Sequence, residues 1–219
     1  MMSKKKKTNA YYFSVEGQTE KWYLDWLESI INNTDNAQIK VTIKSKVEKD
    51  PVKYAKKLTV IGKTKVYHLS DYESNAPEHV TQFETTMDRM SLASSEKQII
   101  YKFGYSNLTF DLWIILHMMD LFSSVADRKN YIKYINRSFN EKFESMAEYK
   151  EEANFKRCLS KIQLSNVIDA ISRAKTIMQR NVENGYTLQQ HGNYRYYKEN
   201  PSLAIWEAIE GILIDCKLI

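Results

Sequence analysis

Hydrophobic positions change period several times along this chain, and each change predicts an element. Tyr11, Tyr12, Phe13 and Val15 crowd into an almost continuous apolar run, the mark of a strand covered on both faces. Gly17 then supplies a tight turn, and Thr19 is the expected N-cap of a helix. Within that helix Trp22, Tyr23, Trp26, Leu27, Ile30 and Ile31 recur at helical spacing and predict a core-facing stripe, with Lys21, Asp25 and Glu28 in water. Alternating Ile39, Val41 and Ile43 predict a second strand within 37–46, and a helix over 52–61 starts after Pro51 and closes at Gly62. A short strand over 65–69, a helix over 78–90, a strand over 98–103 ending at Gly104 and a very apolar helix around Leu112 follow. From about Ser123 the pattern is helical, over 126–138, 146–159, 165–182 and 202–213, with a loop over 184–200 between the last two.

Three times a strand runs into a polar turn and then a helix, and each turn carries acids or amides. Glu16 follows the first strand directly, at the edge where open α/β sheets keep their chemistry. Asp71 and Glu73 follow the third, and residues two apart in extended backbone project to one side, so both carboxylates can face the space above the sheet. Such a pair suits a hard divalent cation. It is also what two solvated turn acids look like, Asp71 acting as a cap. Asn107 and Asp111 flank the start of the apolar helix, either as a third polar group for a phosphate or as a cap and a dipole-complementing acid. His117 shares a face with Phe110, Trp113 and Ile114, which fits a hydrogen-bonded core histidine as well as a ligand. His68, His79 and His191 have no metal-ligand spacing with one another or with cysteine, so zinc is not indicated.

Composition narrows the class. With 219 residues, 43% hydrophobic and 12% aromatic, the chain can bury a sizeable core. The longest apolar run, 112–119, is too short to span a bilayer. Cys158 and Cys216 lie far apart and no secretory pattern precedes them, which favours a reduced, cytoplasmic setting. The net charge of +5 owes four positive charges to Lys4–Lys7, so nucleic acid is plausible on charge but not required. In the loop over 184–200, Tyr194, Arg195 and Lys198 interleave aromatics with cations, as surfaces for unpaired bases do, although the tyrosines could equally pack on the helices. Lys102 could meet phosphate at the sheet's edge, but nothing local separates it from a surface lysine.

The order VEGQTEKWYLDWL, a short strand ending in Asp-x-Glu, and YSNLTFDLWIILHM resembles the RloB-like proteins, which include the toxin component of abortive-infection system L. Tyr149-Lys150, the 170–175 segment and Asn200-Pro201-Ser202 resemble that family's later half. The chain departs from the family pattern with Glu73 for a second aspartate, Leu108 for proline and Asp111 for glutamate. The resemblance implies a TOPRIM-like, Rossmannoid α/β fold, a parallel sheet flanked by helices with a helical C-terminal extension. The expected organisation is a basic flexible tail over 1–8 and one domain over 9–219, comprising an α/β core to 122 and the extension after it.

On matching positions the resemblance implies Glu16, Asp71 and Glu73 as catalytic carboxylates holding Mg2+ or Mn2+. Glu20 matches the family's second glutamate, with a capping role as the alternative, and Asp111 is a further acid of the third motif. Two functions of different class are expected from this. One is a metal-dependent nuclease, the effector of an antiphage system with a companion ABC- or AAA-type ATPase, cutting RNA such as tRNA or else DNA. The other is a nucleic-acid- or partner-binding module that has lost catalysis. The chain has no G-x-x-x-x-G-K-[ST] loop of its own. Homo-oligomer formation is left open, and no membrane association is expected.

Overall fold

A computed structural model describes residues 6–59 and 62–219. Lys4 and Lys5 of the expected tail, and the end of the helix expected over 52–61, lie outside the described residues. Among those described, Lys6 reaches the Asp35 carbonyl, and Thr8 already belongs to the first strand.

The chain alternates strand and helix. Strand β1 (Thr8–Val15), helix α1 (Gln18–Asn32), β2 (Lys40–Val47), α2 (Pro51–Lys57), β3 (Thr64–Tyr72), α3 (Pro77–Glu96), β4 (Ile99–Asn107) and α4 (Asp111–Leu116) form the first half. After a 3-10 turn at Arg128–Asn130 come α5 (Tyr131–Phe139), α6 (Met146–Tyr149), α7 (Glu152–Leu159) and α8 (Leu164–Glu183). A hairpin of β5 (Gln189–His191) and β6 (Tyr194–Tyr196), the two-residue β7 (Ser202–Leu203) and α9 (Ile205–Asp215) complete it.

Strands order as β2-β1-β3-β4-β7, with β1 to β4 mutually parallel and β7 antiparallel to the end of β4. This is the Rossmann-like, mostly parallel sheet with flanking helices expected from the resemblance, closed by a C-terminal helix. Odd residues of β1, Tyr11, Phe13 and Val15, join a large core with α1, α4, α5, α7, α8 and α9. On the other face Val66, Ile99 and Tyr101 pack with α2 and with Met90 and Ala93 of α3. Covering both faces is what makes β1 read as a continuous apolar run.

Several boundaries differ from the sequence expectation, each for a local reason. Thr19 does not cap α1; Gly17 stands at the N-cap and the Thr19 hydroxyl donates to Glu20. Helix α2 stops at Lys57, well before Gly62, because the Lys97 ammonium donates to the carbonyls of Ala55 at 2.6 Å and Leu58 at 3.0 Å and so satisfies its end. Strands β3 and β4 run three and four residues beyond their expected ends at Leu69 and Phe103. At Gly104 an added Cβ would stand 2.8 Å from Leu69 Cδ2 and 3.3 Å from Ile205 Cα, so this glycine serves close packing with α9 rather than a turn. The helix expected over 146–159 is broken between Tyr149 and Glu152, and the one expected from Ser202 starts at Ile205 because Ser202 and Leu203 pair with β4.

Candidate active site

Parallel strands bring their carboxyl ends to one edge, and the first two acids meet there. The register pairs Val15 with Leu69, so Glu16 stands beside Ser70, whose hydroxyl donates to Glu16 Oε1 at 2.5 Å. Asp71 is the next residue, still within β3 and opposite Ser106 of β4. Glu20 lies in the first turn of α1 but is buried, and it folds back to accept from the Thr19 hydroxyl at 2.8 Å. A Cβ on Gly17 would lie 3.0 Å from Glu20 Oε2, and its backbone is extended at φ −142°, so the glycine provides room for that carboxylate rather than a left-handed turn.

Asp111 opens α4 and is 1% exposed. Its Oδ2 accepts from the Thr109 hydroxyl at 2.8 Å and pairs with Lys150 Nζ at 2.9 Å, while its buried Oδ1 has no partner. The buried Tyr149 hydroxyl, which feels the charges of Asp111 and Glu20, is likewise unpartnered. Glu16, Glu20, Asp71 and Lys150 line one cleft of about 280 Å3 together with Lys49 and Trp22. Glu73 stands on its rim, but its carboxylate is engaged by Arg128 at 3.1 Å and by His79 at 3.7 Å.

Burial lifts the Asp71 carboxyl well above the usual carboxylate range, and repulsion from Glu20 and Glu16 adds to it, with Lys150 opposing. Burial also raises Glu16, offset by the Ser70 hydroxyl and reinforced by Glu20. Glu20 is raised by burial against the opposing pull of its own N–H, Thr19 and Lys150. The Lys150 ammonium is held above its ordinary range, its desolvation outweighed by Asp111, Asp71 and Glu20 together. Four acids therefore share one buried neighbourhood with less positive charge than they carry.

The donor set fits a hard divalent cation: it is all oxygen, short of positive charge, and includes the unpartnered Asp111 Oδ1. Among the described residues, however, no three His, Cys, Asp or Glu side chains already converge closely enough to hold a metal ion. Binding one would require the carboxylates to rotate toward each other.

The remaining sequence candidates separate. Asn107 is buried at the end of β4 and donates to the carbonyls of Lys198 at 2.9 Å and Glu199 at 3.1 Å, tying the later segment to the sheet. His117 is a core group, its Nδ1 on the Trp113 carbonyl at 2.8 Å and its Nε2 on the Tyr23 hydroxyl at 3.2 Å, with burial lowering its pKa to about 4. Lys102, Tyr194 and Arg195 line one groove of about 520 Å3 along β4, with Tyr101, Phe103 and Glu207. Tyr194 stacks edge-on against Phe103, and Tyr196 and Tyr197 are buried, so much of the tyrosine-rich loop packs on the body. Lys198 lies outside that groove. Lys150, Ser70 and Lys49 were not singled out for a role by sequence; only the family-like Tyr149-Lys150 pair hinted at the first.

Among the described residues no helix is long and apolar enough to cross a membrane. No curated protein and no solved structure matches the chain. A family model described as RloB-like protein matches residues 11–212.

Proposed function

The chain belongs to the RloB-like family, and from that premise we propose that it is a metal-dependent nuclease, the effector of an antiphage abortive-infection system that works with a companion ATPase. The observation that carries the reading is the set of four acids, Glu16, Glu20, Asp71 and Asp111, gathered at the carboxyl edge of a parallel sheet with one oxygen left unpartnered.

A bound Mg2+ or Mn2+ would polarise a scissile phosphate and lower the pKa of a water. Glu16 and Asp71 would hold it, with Glu73, whose Oε2 is engaged by Arg128, able to offer its other oxygen from the rim. Glu16 and Glu20, whose carboxyls burial raises above the ordinary range, are placed to take and return a proton. The groove bearing Lys102, Tyr194 and Arg195 offers cations and an aromatic ring for unpaired nucleotides, which favours RNA such as tRNA over duplex DNA.

Purified wild type and Asp71→Asn, incubated with tRNA, ribosomal RNA, single-stranded DNA and supercoiled plasmid in Mg2+, Mn2+ or EDTA, test the proposal. Wild type should cut one class with metal alone, and the variant should be slower by about a hundredfold or more. The unconverged carboxylates favour a second reading, a binding module without catalysis. That reading takes over if wild type cuts nothing even when a companion ABC- or AAA-type ATPase is supplied.

A further inference from the structure

The acids of the cleft come from the first half of the chain, but the cation that forms an ion pair with one of them, Lys150, comes from the second. The helix expected to run through 146–159 is interrupted at Lys150, where the ammonium reaches Asp111 at 2.9 Å. The lysine within α7, Lys156, pairs instead with the exposed Glu152. Among the described residues Lys150 alone pairs with a carboxylate that is 1% exposed, and its charge also acts on Asp71 and Glu20. A buried acid without a partner is costly, and an ammonium placed among several such acids offsets their mutual repulsion. Even with Lys49 acting on Glu16, the two ammonium groups are fewer than the four acids, and Asp111 Oδ1 keeps a free lone pair.

We propose that Lys150 is the built-in counter-ion of this site, a positioning residue that holds the cluster together until a divalent cation replaces its charge. The cation and Lys150 then compete for the same acids. Cation binding frees the ammonium toward the cleft it lines, where a nucleic-acid phosphate would lie. The second part rests on the nuclease reading; the counter-ion role does not.

The test compares wild type, Lys150→Met, Lys150→Arg and the double variant Lys150→Met/Asp111→Asn. In EDTA, Lys150→Met should unfold on the order of 10 °C lower than wild type, Lys150→Arg close to it, and the double variant should regain at least half of the loss. In calorimetric titration with Mn2+, Lys150→Met should bind about tenfold more tightly than wild type, because a competing charge has gone. A merely structural lysine would not tighten metal binding. Unchanged unfolding of Lys150→Met, or no recovery in the double variant, overturns the counter-ion role; unchanged or weaker Mn2+ affinity overturns the competition. Wild type that binds no Mn2+ sinks the metal reading, while the unfolding comparison still decides the counter-ion. If Lys150→Met does not fold, folding of the double variant supports the inference and its failure overturns it.

Discussion

Gly17 and Glu20 are coupled through a side chain that is missing. With no Cβ at Gly17, the Glu20 carboxylate can turn back into the cleft instead of lying on the surface of α1. There its folded-state pKa is above its unfolded one, so folding favours the protonated form. The stability tied to Glu20 is therefore complete below its ordinary value of 4.5 and is lost as pH rises through the folded value. Glu20→Gln, fixed in the uncharged form, should unfold a few degrees above wild type in EDTA at pH 8, with the gap closing on acidification toward pH 4.5. Thermal unfolding across that range checks it, and an advantage that grows with acid would refute it. Glu16 and Asp71 were legible in the sequence because each acid ends an apolar run at a sheet edge. The direction of Glu73 was not, because Arg128, which engages it, is distant in sequence.

At the scale of elements, the hydrophobic pattern, a continuous run for β1 and alternation for β2, located every strand of the main sheet except β7, whose two residues are too few to show a period. The end of β3 was missed because Ser70-Asp71 reads as the start of a polar turn, and that of β4 because glycine reads as punctuation, whereas Gly104 is a contact surface for α9. Gly104→Ala should cost roughly 2 kcal/mol by overpacking against Leu69 and Ile205, lowering the midpoint by about 4–8 °C; calorimetry measures it. The break between α6 and α7 was equally hidden, since an unbroken helical pattern runs through a site where burial of Tyr149 and the pull of Asp111 on Lys150 decide the backbone.

At the scale of the molecule, the net charge of +5 is spread so that acids occupy the cleft while Lys102 and Arg195 lie on the groove beside β4. Binding and chemistry would thus fall on separate surfaces. Lys102→Glu/Arg195→Glu should weaken RNA binding by about tenfold and flatten its salt dependence, without changing Mn2+ affinity. Filter binding across a salt series, beside a Mn2+ titration, reads both. The division of the site between the two halves of the chain also bears on how the protein is made. A ribosome releases Glu16, Glu20, Asp71 and Asp111 before Lys150, and β7 and α9 later still. A nascent chain therefore carries a set of repelling acids before the ammonium that offsets them has been made, and the cluster can settle only once Lys150 has emerged.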